Sequence, residues 1–188
     1  MEIFFRFYSF VLNLEYIFKK EIPGDFAELG VYKGGTAVIF SEYAAQQNRM
    51  LYLFDTFSGF SQDDLTGMDG GMQKAFTDTD LASVKQLVGH EDRCVYFPGY
   101  FPDTLTAELD DSRFAFISLD CDLYKPTKSG LEFFYPRLSA GGMIFLHDYS
   151  SGYWPGCTQA IDEFVDANKL HLVLFPDKSG SAVLQKSS

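Results

Sequence analysis

The sequence has few cysteines and no excess of positive charge. Cys94, Cys121 and Cys157 are odd in number and widely spaced, which fits neither a disulfide framework nor a paired-cysteine metal site. We therefore expect a reducing, cytoplasmic environment. Only 15 lysines and arginines stand against 26 aspartates and glutamates, for a formal net charge of -11. Since nucleic-acid binding needs a basic surface, we expect no nucleic-acid partner.

Long apolar runs are also missing. No stretch approaches the ~20 consecutive apolar residues of a membrane-spanning helix. Charged and polar residues interrupt the aromatic opening segment, and no small-residue cleavage site follows it. We expect neither a membrane span nor a signal peptide. The 188 residues can bury the core of one domain, and we predict a single domain over residues 1–188.

The first segment has the apolar spacing of a helix. Its apolar side chains recur at intervals of three and four residues, and two lysines close the run, which predicts a helix over residues 3–20. Within the N-terminal region, residues 1–21, this helix is interpreted as a lid on the domain. Its stripe must pack on something, and the candidates are a bound ligand, a second copy in a homo-oligomer, or the domain's own core. The stripe comprises Phe7, Phe10, Val11, Leu14, Ile17 and Phe18.

A glycine-rich bend follows a short apolar strand. The strand, residues 26–29, runs into Gly30, Gly34 and Gly35, which permit tight turning and close approach of the backbone. A helix beginning at Thr36 would present unpaired N–H groups to a carboxylate or phosphate. The pattern predicts a ligand site at this bend.

The bend belongs to a predicted strand–helix–strand unit. The helix over residues 36–47 leads to a second strand, residues 50–54, which ends at Asp55. In a parallel pair with a right-handed crossover, the carboxyl ends of both strands lie at the same edge of the sheet. Asp55 could there accept hydrogen bonds from a ribose diol, or it could simply start a turn.

Two features of the bend distinguish between classes of cofactor. The spacing between Gly30 and Gly34 departs from the G-x-G-x-x-G of dinucleotide sites. Glu28, two residues before the first glycine, can bind the ammonium group of an amino-acid moiety, whereas a dinucleotide fold needs small residues facing a pyrophosphate. We therefore predict S-adenosylmethionine as the cofactor.

The remaining chain alternates between strands and helices. This alternation predicts a doubly wound α/β sheet of about seven strands, mostly parallel, with an antiparallel C-terminal hairpin. Residues 57–80 are polar and rich in glycine and are predicted to form a mobile loop. The later strands are predicted at residues 94–97, 114–119, 143–146, 171–175 and 181–184, the later helices at 81–88, 125–138 and 158–167, and a turn at 140–142.

Two buried strands of this sheet end in polar side chains. The first is followed by Asp120 and Asp122, and the second by His147 and Asp148. Ligands from neighbouring strand tips suit Mg²⁺ or another divalent cation that could hold an alkoxide or diol. Carboxylates at strand ends also cap helices, so the motif alone has low specificity.

Longer motifs resemble the macrocin O-methyltransferase (TylF-type) family of sugar methyltransferases. The matching segments cover most of the chain from Ile22 onward and are residues 24–36, 53–60, 99–105, 119–127 and 147–149. The resemblance implies a class I fold, S-adenosylmethionine as cofactor and usually Mg²⁺. It implies methyl transfer to a hydroxyl of a sugar, polyol or sugar-bearing small molecule.

The resemblance also implies roles for single residues. Asp55 would bind the ribose, and residues 99–101 the adenine. Asp120, His147 and Asp148 would be the metal ligands, with Asp120 or His147 as the catalytic residue that takes the substrate proton. The full set of implied cofactor-binding residues is Glu28, Gly30, Tyr32, Gly34, Thr36, Asp55, Thr56, Gly99, Phe101 and Asp120.

One position departs from the family pattern. The family usually has Asp-Asp-Tyr where this chain has His147-Asp148-Tyr149, which removes a hard ligand. We expect the site either to favour a softer divalent ion or to bind metal weakly. Two alternatives remain open. One is a glycosyltransferase in which Asp120 and Asp122 hold Mn²⁺ against a nucleotide-sugar diphosphate, although it leaves Glu28 unexplained. The other is a non-catalytic relative that only binds the cofactor.

Overall fold

The computed structural model describes residues 2–187 and the side chains from Phe5 onward. The helices are α1 (Glu2–Lys19), α2 (Ala37–Gln46), α3 (Leu81–Val88), α4 (Tyr124–Arg137) and α5 (Pro155–Asn168). The strands are β1 (Asp25–Leu29), β2 (Leu51–Asp55), β3 (Cys94–Pro98), β4 (Phe114–Leu119), β5 (Leu138–Leu146), β6 (Val173–Leu174) and β7 (Ala182–Gln185).

The strands form one seven-stranded sheet in the order β3-β2-β1-β4-β5-β7-β6. The first five strands of this order pair in parallel, while β7 is antiparallel to both β5 and β6. The predicted doubly wound sheet with an antiparallel end is confirmed. The strand order reverses between β1 and β4, and ligands of open α/β sheets bind in the crevice at such a reversal.

Helices cover both faces of the sheet. The apolar side chains of α1, α2 and α3 pack on one face, and those of α4 and α5 on the other. This arrangement buries β4 on both sides, as its continuous apolar run requires. No helix within residues 2–187 combines the length and apolar character needed to cross a membrane.

Helix α1 packs on the domain's own core. The Phe10 ring lies 5.1 Å from that of Phe40 and 5.0 Å from that of Phe145, and Leu14 and Ile17 are fully buried. The opposite side of α1 exposes Phe5, Tyr8, Leu12 and Tyr16, and Phe18, which was predicted to belong to the packed stripe, is exposed as well. The core therefore takes up the inner stripe, and the lid and homo-oligomer contact stay predictions.

The structure differs from the expected turn at residues 140–142. These residues lie inside β5, which begins at Leu138 opposite Phe114 and shifts register before Phe116 pairs with Met143. Gly141, at φ +80°, allows the extra residues to bulge out of the ladder. The glycines therefore bend a strand instead of separating two elements.

The segment predicted to be a mobile loop makes defined contacts in its middle. It contains two short 3₁₀ turns, Gln62–Asp64 and Gly67–Asp69, whose last residues are both buried. Asp64 Oδ1 accepts a hydrogen bond from the Tyr100 hydroxyl (2.7 Å), and Asp69 Oδ2 accepts one from the Tyr124 N–H (2.8 Å). These contacts tie the loop to the segment after β3 and to the start of α4, and its mobility stays a prediction.

Candidate functional site

A cavity of about 430 Å³ opens at the carboxyl edge of the sheet, where the strand order reverses. It lies between the bend after β1 and the polar tips of β4 and β5. The sequence-predicted residues that line it are Gly30, Tyr32, Thr36, Asp55, Thr56, Gly99, Phe101, Asp120, His147 and Asp148. Glu28 and Gly34 are not among the lining residues.

Glu28 lies beneath the bend with only 1% of its surface exposed. Its Oε2 has no hydrogen-bond partner among the described residues. Burial, and then the nearby Asp120, raise the pKa of Glu28 well above its usual range. A buried carboxylate without a partner is costly, so this oxygen calls for a proton or a cationic group. The expected ammonium contact stays a prediction.

Gly34 faces away from the cavity. A Cβ at this residue would lie 3.1 Å from side-chain atoms of both Val84 and Val88 on α3. Its neighbour Gly35 lines the cavity, and a Cβ there would meet no atom within 4 Å. The open space that a ligand needs therefore lies at Gly35, one residue beyond the predicted position.

Asp55 holds the bend in shape. Its Oδ2 accepts hydrogen bonds from the N–H groups of Val31 and Tyr32, each at 2.8 Å, and its Oδ1 accepts one from the Phe57 N–H at 2.6 Å. A carboxylate can accept about four hydrogen bonds, so roughly one site remains for a ribose hydroxyl. Both readings of Asp55, as a turn residue and as a ligand-facing acceptor, are compatible with this geometry.

Tyr32 connects the bend to the loop over residues 57–80. Its hydroxyl donates to Asp78 (2.7 Å), and its carbonyl accepts a hydrogen bond from the Thr79 hydroxyl (2.5 Å). Its backbone has φ +51°, a left-handed conformation that costs energy for a residue with a side chain. Three hydrogen bonds, counting that to Asp55, hold this conformation.

The β3 side of the cavity is built around a buried ring. Phe101 is 3% exposed and stacks on Phe134 with centroids 5.9 Å apart, while its edge meets Phe54 at 5.6 Å. The Gly99 N–H donates to the Asp55 carbonyl (2.9 Å). Gly99 and Phe101 therefore form a rigid, largely apolar wall suited to a flat ring.

Asp120, His147 and Asp148 form a compact cluster at the tips of β4 and β5. Nδ1 of His147 lies 2.7 Å from Asp120 Oδ1 and 2.8 Å from Asp148 Oδ2. One possible ligand atom from each residue lies within 4.8 Å of the others. Burial alone would lower the pKa of His147, but the two carboxylates outweigh it and raise that pKa to about 10.

Asp122 belongs to the same cluster, as its place among the predicted strand-tip groups indicated, although the ligand set implied by the family resemblance does not include it. It is 7% exposed at φ +62°, and burial and the charges of Asp120 and Asp148 raise its pKa well above the usual range. A neutral Asp122 can donate a hydrogen bond to Asp148.

Arg6 of α1 reaches the cluster from the other side. Its Nη1 contacts Nε2 of His147 and lies 3.5 Å from Asp120 Oδ2. Burial would raise the pKa of Asp120, but His147 and Arg6 outweigh it and lower that pKa. Sequence reasoning missed Arg6, although its position one turn before the buried Phe10 was a usable signal, since residues four apart share a helix face.

Three aromatic rings form an aromatic wall of the cavity. Trp154 meets Phe60 edge-on with ring centroids 5.6 Å apart, and Phe76 lies 5.1 Å from Phe60. All three rings line the cavity. Phe60 and Phe76 come from a loop whose sequence shows no regular period, so the sequence pattern did not assign them to the site.

The strand order, the bend after β1 and the cavity at the reversal define a class I methyltransferase fold. The solved structure of the O-methyltransferase NovP superposes with a TM-score of 0.84, covering 97% of this chain and 80% of that chain at 24% sequence identity, a likeness of fold. Residues 6–177 match the macrocin-O-methyltransferase (TylF) family, and the chain belongs to this family.

Two curated relatives are similar in sequence. Mycinamicin III 3''-O-methyltransferase of Micromonospora griseorubida is 33% identical over 162 residues, covering 77% of this chain and 61% of the relative. Demethyldecarbamoylnovobiocin O-methyltransferase of Streptomyces niveus is 28% identical over 165 residues, covering 80% of this chain and 62% of the relative. The chain spans about three fifths of their length. The family favours methyl transfer over the glycosyltransferase alternative.

Proposed function

We propose that this protein is an S-adenosylmethionine-dependent O-methyltransferase that methylates a hydroxyl of a sugar or sugar-bearing small molecule, assisted by a divalent cation. One observation carries the proposal: the bend after β1 and the cluster of Asp120, His147 and Asp148 face one cavity. Membership of the TylF family and the names of the curated relatives support the reaction class.

The cofactor fits the half of the cavity around the bend. Gly35 leaves open space for the methionine end, and the unpaired Oε2 of Glu28 offers a partner for its ammonium group. Asp55 has about one acceptor site left for the ribose. The wall at Gly99 and Phe101 suits the adenine. These features support S-adenosylmethionine and the predicted roles of Glu28, Asp55, Gly99 and Phe101, but not a role for Gly34, which faces α3.

The donor set fits a divalent cation. Nδ1 of His147 is buried between two carboxylate oxygens, yet neither contact has hydrogen-bond geometry, so this nitrogen is without a hydrogen-bond partner among the described residues. Two oxygens and one imidazole nitrogen are ligands that Mn²⁺ or Zn²⁺ accepts more readily than Mg²⁺. Held by Asp120, His147 and Asp148, such an ion would orient the acceptor hydroxyl and lower its pKa.

The protein's own contribution is positioning and proton transfer. The acceptor hydroxyl would lose its proton to Asp120, its oxygen would form a bond to the sulfonium methyl carbon, and the carbon–sulfur bond would break to leave S-adenosylhomocysteine. His147, whose pKa is raised to about 10, already holds a proton at neutral pH, so Asp120 is the better base of the two predicted residues. Asp120, whose pKa is lowered, is ionised and can receive the proton. The aromatic wall of Phe60, Phe76 and Trp154 lines the same cavity and would help to keep water from the reacting groups.

Calorimetry with S-adenosylhomocysteine tests the cofactor half of the proposal. Saturable binding at micromolar concentrations is expected, and no binding at high micromolar concentrations would end this interpretation. Trp154, the single tryptophan, lines the cavity and provides a second readout, because a bound ligand should change its fluorescence.

Methyl transfer to sugar-bearing acceptors tests the other half. Transfer of the labelled methyl group from S-adenosylmethionine, lost with EDTA and restored by a divalent cation, is the expected result. Activity that EDTA leaves unchanged would contradict the metal assistance without affecting the reaction class.

A further inference from the structure

Asp64 is a buried carboxylate at the side of the cavity where the adenine is proposed to bind. It is only 3% exposed, and it lines the cavity together with Tyr100 and Phe101. The Tyr100 hydroxyl donates to Asp64 Oδ1 (2.7 Å), and Lys125 Nζ lies 3.7 Å from the same oxygen. Since Tyr100 lies between Gly99 and Phe101 in the chain, its hydrogen bond holds the carboxylate at the same side of the cavity as the proposed adenine wall.

Asp64 has capacity for a further hydrogen bond. A carboxylate can accept about four hydrogen bonds, and the Tyr100 hydroxyl provides one of them. Burial, and then the hydrogen bond to Asp64, raise the pKa of Tyr100, so this hydroxyl keeps its proton and is the donor. Among the described residues that line the cavity from residues 56–80 and 99–113, Asp64 is the only charged one. A buried carboxylate with spare acceptor capacity calls for a donor from the ligand.

Adenine carries a donor of the required kind. The wall at Gly99 and Phe101 is largely apolar, so it can fix the plane of a flat ring but cannot distinguish the polar groups at the edge of that ring. Adenine has an amino group at its 6-position, which donates, whereas a base with a carbonyl at that position only accepts there. A carboxylate therefore attracts the first kind of base and repels the second.

We infer that Asp64 accepts a hydrogen bond from the 6-amino group of the cofactor's adenine and thereby selects adenine over bases with a carbonyl at that position. Tyr100 acts as a positioning residue, because its hydroxyl holds Oδ1 of Asp64. The inference rests on the proposed binding mode of S-adenosylmethionine.

Calorimetry with S-adenosylhomocysteine and two analogues tests the selection. S-inosylhomocysteine has a carbonyl in place of the 6-amino group and a hydrogen on N1. The wild type should bind it roughly 10- to 100-fold more weakly, because hydrogen bonds to charged groups are among the stronger ones. The analogue with unsubstituted purine loses only the amino group and keeps N1 as an acceptor. It should bind at least about fivefold more weakly, which separates the amino group from the change at N1.

A variant of Asp64 tests the residue itself. Asp64→Asn keeps the shape of the side chain but gives it both a donor and an acceptor, so the preference for S-adenosylhomocysteine over S-inosylhomocysteine should fall by at least about tenfold. Tyr100→Phe, which removes the hydroxyl that holds Asp64, should lower the preference by about two- to fivefold. Asp63→Asn removes the same charge at the neighbouring exposed position and should keep the wild-type preference within about twofold.

The ratio of the two affinities distinguishes recognition from a purely structural role. Asp64 also anchors the loop over residues 57–80, and a distorted loop would weaken the binding of both ligands alike. An unchanged ratio in a folded Asp64→Asn therefore overturns the inference.

The wild type alone provides a second test, which stands even if Asp64→Asn does not fold. Equal affinity for S-adenosylhomocysteine and the purine analogue would show that the 6-amino group is not recognised, and it would leave the methyltransferase proposal standing. If the wild type binds none of the three ligands, the proposed cofactor fails and the inference fails with it.

Discussion

The carboxylate of Asp69 lies directly against the backbone of Gly156. A Cβ at Gly156 would fall 2.2 Å from Asp69 Oδ1, while Oδ2 of the same carboxylate accepts the N–H of Tyr124. Asp69 therefore bridges the first turns of α4 and α5, the two helices that follow the strands carrying the acidic cluster.

Because of this contact, replacing Gly156 should have the opposite effect to replacing most glycines inside helices. Replacing a glycine inside a helix by alanine normally stabilises by up to about 1 kcal/mol. Gly156→Ala should instead destabilise the protein by about 1–3 kcal/mol, because the new methyl group overlaps the buried Asp69. Urea denaturation measures the difference.

A double-mutant cycle isolates the cause. Asp69→Ala alone should cost about 1–3 kcal/mol, because it removes a buried cap. In that background Gly156→Ala should become neutral or stabilising, since the overlap is gone. Equal costs of Gly156→Ala in both backgrounds would show that the Asp69 contact is irrelevant. Asp92→Ala, at an exposed position, serves as the control.

Asp55 should matter for the cofactor chiefly through the shape of the bend. Asp55→Ala removes the acceptors of the N–H groups of Val31, Tyr32 and Phe57, so we expect S-adenosylhomocysteine to bind at least about tenfold more weakly. Asp55→Asn retains one oxygen acceptor, so its affinity for S-adenosylhomocysteine should lie between that of the wild type and that of Asp55→Ala. Calorimetry provides the measurement, with Asp110→Ala as an exposed control. Unchanged affinity in Asp55→Ala would contradict both roles of this residue.

Replacing His147 should change which metal the site prefers. His147→Asp restores the pair of carboxylates seen in the family pattern, and Mg²⁺ prefers oxygen ligands. We expect the preference for Mn²⁺ over Mg²⁺ to narrow by roughly tenfold, as measured by competitive titration. His171→Asp introduces the same change at an exposed position and should leave the ratio of the Mn²⁺ and Mg²⁺ affinities unchanged. An unchanged ratio in His147→Asp would remove this residue from the ligand set.

The three cysteines should resist alkylation in the folded protein. Burial raises the pKa of Cys94 to about 11 and also raises those of Cys121 and Cys157. Since the thiolate is the reactive form, only about 0.1% of Cys94 is reactive at pH 8, and its reactivity should keep rising as the pH approaches 11. Iodoacetamide followed by intact-mass analysis should find no label on the native protein and three labels in denaturant. Rapid labelling of native Cys94 would contradict the burial argument.

Much of the fold followed from local patterns. The helix predicted over residues 81–88 was confirmed as α3 with the same bounds, and the side chain of Asp80 caps it by accepting the Ser83 N–H. The location of the site was predictable for a topological reason, because parallel strands bring their carboxyl ends to one edge. The bend after β1 and the polar tips of β4 and β5 had to meet there once the strand alternation was recognised.

Other features depend on how the layers pack. Sequence spacing could not distinguish Gly34, which faces α3, from Gly35, which faces the cavity. It also gave no indication that Asp69 would reach Gly156.

The sequence by itself determined the class of fold, the edge of the sheet that carries the site and the residue types at the strand tips. These properties depend on apolar periodicity and on polar residues next to buried strands, which are local. Only the tertiary structure decided that Arg6 meets His147, because that contact depends on where the core anchors α1 relative to β5. Contacts between residues far apart in sequence are set by the packing of whole elements, which no local pattern records.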